Sequence, residues 1–339
     1  MKEKIFQVQE IGSLRKPDWL IKTLRNPNIS QEAKKAARDD LAYINIKKME
    51  EAGLDIVYDG EARRTEMYEY AVRNISGFKL TGQIRSWDNK YYRKARVIDK
   101  VGYIKPYHLD EYKSVAEIAK KEVKIPITGP YTLADWSYNE FYPKREDLIF
   151  DLAKEVINPM LKELVSAGAK IIQLDEPAAT THPNDSKLFV EAFNQSVKGV
   201  KAKTTVHICY SGDNYTTLFP DILEMKCTQF ALEFANRDTS KLGVNRESRH
   251  GYSALEAFKE YNDPREIGLG VSDVHVDLIE SPEIIRDRIL YAEKILGDPT
   301  KIYVNPDCGL RTRSRDVAFT KLSRISKGRD LAKKEINQN

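Results

Sequence analysis

Residues 146–177 read EDLIFDLAKEVINPMLKELVSAGAKIIQLDEP. Over Glu146–Ala167 the apolar residues recur at helical spacing. Gly168 follows, where a helix C-cap is expected just before a strand. Lys170–Leu174 is then a short apolar, β-rich run that stops abruptly at Asp175-Glu176-Pro177. A helix, a glycine cap, a strand and a polar cluster at the strand's C-terminal end make one unit of an α/β fold.

The same unit recurs along the chain. Phe6–Ile11 ends in Gly12-Ser13, Asp55–Tyr58 in Asp59-Gly60-Glu61, and Ile125–Thr128 in Gly129-Pro130. Thr204–Val206 ends in His207-Ile208-Cys209 and Gln229–Leu232 in Glu233. Ile267–Val271 runs to Asp273-Val274-His275, and Ile302–Val304 ends in Asn305-Pro306-Asp307-Cys308-Gly309. Helical segments such as Pro282–Leu296 lie between most of them, and Gly53 stands at a second C-cap position. Eight alternations of strand and helix are the signature of a closed parallel barrel, whose chemistry sits at the C-terminal strand ends. An open doubly wound sheet would carry a glycine-rich phosphate loop after its first strand, and Gly12-Ser13-Leu14-Arg15 is not one. The expectation is an α/β fold, a single (β/α)8 TIM barrel over residues 1–339. Lys79–Tyr107 breaks the alternation and reads as a β-hairpin inserted between barrel strands 2 and 3: Lys79–Arg85, a turn at Trp87-Asp88-Asn89, then Tyr91–Ile104. The charged stretch after about Arg324 reads as a helix that frays.

Composition narrows the function. The 339 residues carry a net charge of +4 with both signs interleaved, which makes no case for nucleic acid or an acidic membrane as partner. The densest basic stretch, Lys90–Arg96, also holds two tyrosines. No apolar run approaches the length of a spanning helix. Met1–Gln9 lacks the apolar core of a signal peptide, so the cytoplasm is the expected location. Three cysteines, Cys209, Cys227 and Cys308, do not make a disulfide framework and fit reduced thiols or metal ligands. Cys227, just before a strand and with no partner in reach of the pattern, reads as structural.

His207 and Cys209 stand at i and i+2, so on a strand their side chains share a face. Glu233 and Cys308 stand at the ends of two further strands. Together the four suit Zn²⁺ in a four-coordinate site. A lone His-x-Cys pair would more often be core packing, and it is the third and fourth ligand types at barrel mouths that shift the balance. Two thiolates and one carboxylate bring −3 against +2. Sites that acidify water normally use neutral histidines, whereas an anionic set leaves a bound substrate sulfur electron-rich. Thiol alkylation suits this set better than hydrolysis.

These residues resemble the catalytic half of cobalamin-independent methionine synthase. The likeness is carried by His207-Ile208-Cys209-Tyr210, by Glu233, and above all by Asn305-Pro306-Asp307-Cys308-Gly309-Leu310-Arg311-Thr312-Arg313. Further matches are Ile11-Gly12-Ser13, Asp59-Gly60-Glu61-Ala62-Arg63, Thr128-Gly129-Pro130-Tyr131-Thr132 with Trp136-Ser137, Asp175-Glu176-Pro177-Ala178, and Gly270-Val271-Ser272-Asp273-Val274-His275. The resemblance implies a (β/α)8 barrel and an enzyme, a methyltransferase that makes methionine from homocysteine. It implies zinc ligands at His207, Cys209, Glu233 and Cys308, and homocysteine-holding residues at Ser13, Glu61 and Asp175. It also implies an acid for the donor's leaving group at His275, oriented by Asp273, and an aromatic against the donor's ring at Trp136.

Two departures bear on the methyl donor. Full-length members of the family carry a second, N-terminal barrel that helps bind methyltetrahydrofolate polyglutamate, and the 339 residues resemble the catalytic barrel alone, as in a short, single-barrel, archaeal-type member. The hairpin, with Tyr91, Tyr92, Arg93 and Arg96, does not match the family's folate-contacting loop. The donor is therefore expected to be methylcobalamin or a corrinoid on a carrier protein, or 5-methyltetrahydrofolate with a separately encoded N-terminal-like barrel. Alternative readings are a zinc-thiol alkyl transfer onto coenzyme M and a non-catalytic zinc-binding subunit. Coenzyme M has no ammonium for Glu61 and Asp175 to pair with, and a mere zinc scaffold has no need of His275.

Overall fold

A computed structural model describes residues 4–85, 91–209 and 215–338. Its strands in chain order are β1 (Gln7–Val8), β2 (Ile56–Val57), β3 (Ile75–Arg85), β4 (Tyr91–Tyr103), β5 (Glu122–Thr128), β6 (Tyr138–Asn139), β7 (Ile171–Asp175), β8 (Lys203–Ile208), β9 (Gln229–Leu232), β10 (Glu266–Gly270) and β11 (Ile302–Asn305). Eight form one sheet in the order β1-β11-β10-β9-β8-β7-β5-β2. A parallel bridge from Gln9, just past β1, to Ile56 of β2 links the two ends of that order. The fold is a (β/α)8 barrel.

By contact density the chain divides into two compact units. One comprises Met1–Arg63, Val115–Val123 and Gln229–Asn339, the other Arg64–Ser114 and Lys124–Thr228. In the first, Gly268 of β10 lies opposite Ala231 of β9 and Tyr303 of β11. Buried amides meet beside it: Gln9 Nε2 donates to Gln229 Oε1 at 2.9 Å and to Asn305 Oδ1 at 3.1 Å. Buried polar groups need such partners. A side chain at Gly268 would press on Gln9 and Asn305, which is why this strand interior carries a glycine.

The helix Pro282–Leu296 of this unit falls where its periodicity predicts. Ser281 Oγ accepts the Ile284 N–H at its start, and Gly297 takes φ +72° at its end. The stretch after Arg324 is not a fraying tail. It belongs to the helix Arg315–Ile336, which buries Leu322, Ile325 and Ala332. Arg329 Nη1 donates to Asp55 Oδ2 at 2.6 Å. The charge that suggested fraying is partly consumed by this distant partner.

In the second unit β5, β7 and β8 run parallel, with Thr128 opposite Asp175 and Asp175 opposite His207. The register alone sets these three strand ends in a row. The helical segment before β7 is interrupted: Arg145–Asp151 is α-helical, Leu152–Ile157 is a π-helical turn, and Asn158–Ser166 is α-helical again. Pro159 has no N–H and its ring would strike the carbonyl four residues back, and the wider turn ahead of it removes the conflict. Gly168 (φ +101°) here and Gly53 (φ +88°) in the first unit take the left-handed conformation expected of them.

The hairpin between β2 and β5 is β3 paired antiparallel with β4, from Ile75 opposite Tyr103 to Arg85 opposite Tyr91, and β6 adds along β4. Its first strand starts at Ile75 rather than Lys79, and its second, Tyr91–Tyr103, ends one residue short of the expected Ile104. Gly77, with φ +84°, sits at a register shift inside β3, and this turn-like glycine hides the strand's beginning. The turn expected at Trp87-Asp88-Asn89 lies outside the described residues. Among the described residues no helix is long and apolar enough to cross a membrane.

Candidate metal centre and substrate site

His207 is the next-to-last residue of β8 and Cys209 follows its end. Their spacing puts both side chains on one face, with His207 Nε2 3.1 Å from Cys209 Sγ. Asp175 ends β7, opposite His207, and its Oδ1 accepts from Gln173 Nε2 at 2.6 Å. Glu176 beside it is fully buried. Its carboxylate accepts the backbone N–H groups of Tyr131 at 3.1 Å and Thr132 at 2.7 Å. These N–H groups open the helix Pro130–Asp135 and have no partner within it. A side chain at Gly129 would collide with that carboxylate, which accounts for Thr128-Gly129-Pro130. Burial pushes the Glu176 carboxyl up to about 7 against these hydrogen bonds. Trp136, half-buried, caps the end of the same helix and leans on Tyr68 with ring centroids 6.1 Å apart.

In the other unit the chain turns after β2 through Asp59-Gly60-Glu61. Gly60 takes φ +63° and Glu61 φ +57°. A glutamate in the left-handed region is strained, and such strain concentrates at functional sites. Asp59 Oδ1 holds the turn by accepting the Glu61 N–H at 2.8 Å, and Arg63 Nη1 holds Asp59 Oδ2 at 2.9 Å. The turn delivers the Glu61 carboxylate to Gly12: a Cβ there would stand 3.6 Å from Glu61 Oε1 and 3.8 Å from the Gly309 Cα. A Cβ at Gly309 would lie 2.8 Å from the Ser13 nitrogen. Ser13, Glu61 and the backbone next to Cys308 therefore converge. Lys16 Nζ adds a bond to the Glu61 carbonyl at 3.3 Å.

Glu233 follows β9, is almost wholly buried, and accepts from Asn236 Nδ2 at 3.1 Å. His275, in the loop after β10, places Nε2 3.8 Å from Glu233 Oε2. That carboxylate raises the pKa of the imidazole. Asp273 Oδ1 accepts the backbone N–H of His275 at 2.8 Å, so it orders the loop through the main chain.

The ligand atoms of His207, Cys209 and Cys308 lie within 4.8 Å of one another. Zinc bonds of ~2.0–2.3 Å put the ligand atoms of a tetrahedral ion about 3.3–3.8 Å apart. One nitrogen with two sulfurs is a zinc donor set. Glu233, the fourth residue of the expected set, is not in this close group; its carboxylate lies beside His275 and Asn236.

Residues 18–333 match the family model described as the cobalamin-independent synthase catalytic domain. The chain belongs to this family. A methionine synthase of Thermoplasma acidophilum is 43% identical, covering 97% of this chain and 98% of its own length. One from Pyrococcus furiosus is 41% identical, covering all of this chain and 96% of its own length. The solved B12-independent methionine synthase from Shewanella sp. W3-18-1, in complex with selenomethionine, superposes with a TM-score of 0.85 at 25% identity, covering 99% of this chain and 100% of that one.

Within this family member, two carboxylates matter beyond the residues singled out from sequence. Glu176 is one. The other is Asp307, fully buried, whose Oδ1 accepts the N–H groups of Phe234 and Ala235, each at 3.0 Å, and whose Oδ2 accepts that of Asn236 at 2.7 Å. The signal in the sequence was an acid wedged between Pro306 and Cys308 at a barrel-strand end. Cys227 is buried, consistent with its structural reading.

Proposed function

We propose that this chain transfers a methyl group to the thiol of L-homocysteine to form L-methionine, with one zinc ion held by His207, Cys209, Glu233 and Cys308. The observation that carries the reading is the group of one imidazole and two thiols, in a chain of the cobalamin-independent synthase family. The relatives named above bear the name methionine synthase, and the Shewanella protein holds selenomethionine, the selenium counterpart of the proposed product.

When bound, zinc supplies Lewis acidity that lowers a substrate thiol from ~8.5 until the thiolate dominates near neutral pH. The protein's own residues read the rest of the substrate. Glu61 and Asp175 offer carboxylates for the α-ammonium. Ser13 and the N–H groups near Gly12 offer donors for the α-carboxylate. Glu61 sits in a strained turn held by Asp59, so its backbone is set before substrate arrives. Trp136, half-buried, is the aromatic assigned to the donor's ring. His275, a third exposed, is the group able to give a proton to a leaving amine.

For the donor we place a corrinoid first, methylcobalamin free or on a carrier protein, and 5-methyltetrahydrofolate polyglutamate second. On the hairpin, Tyr91 and Arg93 are exposed and available to such a partner. Arg96 is engaged in an ion pair with Glu140 and is a weaker candidate contact. Zinc-loaded protein given homocysteine with each donor should form methionine with at least one. Methyl transfer to coenzyme M but not to homocysteine would replace this reading with the thiol-alkylation alternative.

A further inference from the structure

We propose that Asp307 is a positioning residue that fixes Glu233 relative to Cys308, and so sets the affinity of the metal site. The inference rests on the zinc reading above. Its basis is a single buried carboxylate that receives three consecutive backbone N–H groups, those of Phe234, Ala235 and Asn236. These are the three residues directly after Glu233. Asp307 is itself the residue directly before Cys308. Two expected ligands from two different strands are thereby tied to one anchor.

The anchor continues to the side chain. Asn236, held by its N–H on Asp307 Oδ2, donates through Nδ2 to Glu233 Oε2 at 3.1 Å. Asp307 therefore acts on the Glu233 carboxylate through Asn236 as well as through the main chain. Its own backbone N–H donates to the Ser272 carbonyl at 3.0 Å, which secures the strand end from the other side. The fold makes room for this carboxylate: a side chain at Gly270 would overlap Asp307 Oδ1.

Chemistry limits what can stand at position 307. Three donors converge on two oxygens, and only a carboxylate presents acceptors in both places. An asparagine would turn an NH₂ toward at least one N–H group and lose that bond. The loop could then shift, and the Glu233 carboxylate with it. Groups that orient metal ligands from behind typically contribute 10–100-fold to metal affinity.

The test is a chelator competition for zinc on the full chain, comparing the parent, Asp307→Asn, Glu233→Gln and the double variant. Asp307→Asn is expected to weaken zinc binding by about 10–100-fold. In the Glu233→Gln background it should add little, because its effect runs through Glu233. A merely structural role would instead weaken zinc by the same factor in both backgrounds, and that additivity would overturn the proposal, as would an unchanged affinity. If Asp307→Asn does not fold, Asn236→Ala breaks the side-chain relay alone and is read in the same cycle. Cobalt-substituted protein gives a second readout, since its visible spectrum should change alike in Asp307→Asn and Glu233→Gln. Should Cys308→Ser keep full zinc affinity, the zinc reading itself fails and takes this inference with it. Should Cys308→Ser lose zinc while Asp307→Asn keeps it, only the inference fails.

Discussion

His207 Nε2 stands 3.1 Å from Cys209 Sγ, a distance set by the two-residue repeat of a single strand end. Such a pair is preorganised before any ion arrives. Cys308 completes the trio. Metal analysis of the purified protein should therefore find about one zinc per chain. Cys308→Ser removes one of two sulfur ligands and should lose most of that zinc. A normal zinc content in this variant would sink the assignment of Cys308.

The carboxylates of Glu61 and Asp175 are assigned to the substrate rather than the metal. Glu61→Gln and Asp175→Asn should each weaken homocysteine binding while zinc content stays at the parental level. Breaking a buried charge pair costs roughly 3–5 kcal/mol. By calorimetric titration that is a loss of more than about 100-fold in affinity. Parental affinity in either variant would show that its carboxylate does not face the ammonium.

How far the sequence foretold these positions depends on the range of the interaction. Strand ends were legible because a polar cluster cuts off each apolar run, as at Leu174-Asp175 and Leu232-Glu233. The strand Gln229–Leu232 and the helix Pro282–Leu296 carry their own boundaries and fall where expected. The start of β3 was hidden because Gly77 imitates a turn, and the π-helical turn went unread because the apolar period runs unbroken past Pro159, its one local signal. The final helix was expected as a helix, but its packing was missed because Arg329 finds Asp55, 274 positions away in sequence. For the same reason the parts played by Glu176 and Asp307 could not be read from their places at strand ends alone. Their partners are backbone N–H groups of distant segments, and no side-chain pattern announces those.

Glu176 yields a prediction about pH. Burial raises its carboxyl from 4.5 to about 7 in the folded chain. The folded state then holds a proton that the unfolded state releases, across the window between those values. The sign follows: this group's contribution to stability is greatest below pH 4.5 and is lost as pH rises through about 7. Glu176→Gln is neutral throughout and should lack the slope. In urea unfolding of zinc-free protein, the stability of Glu176→Gln relative to the parent should rise by up to about 3 kcal/mol between pH 5 and pH 8. A flat difference would mean that the carboxylate stays ionised, stabilised by the Tyr131 and Thr132 N–H groups.

The donor is decided by whether the reaction needs the proton of His275. A tertiary amine such as N5 of methyltetrahydrofolate is a poor leaving group and must be protonated as it departs. It also needs a well-held pterin, for which Trp136 is the assigned contact. Methyl loss from methylcobalamin leaves cob(I)alamin and consumes no proton. Methylcobalamin should therefore be used better than methyltetrahydrofolate monoglutamate when each is supplied with homocysteine and methionine is measured. His275→Asn separates the two chemistries. With a corrinoid donor it should lose less than about 10-fold, since no general acid is required. With a folate donor it should lose about 10²–10⁴-fold, the usual worth of a positioned acid. The ring's place beside Glu233 serves the folate case, because that carboxylate favours the protonated imidazole. Turnover with methyltetrahydrofolate polyglutamate, none with methylcobalamin, and collapse of activity in His275→Asn would together reverse the order of donors proposed here.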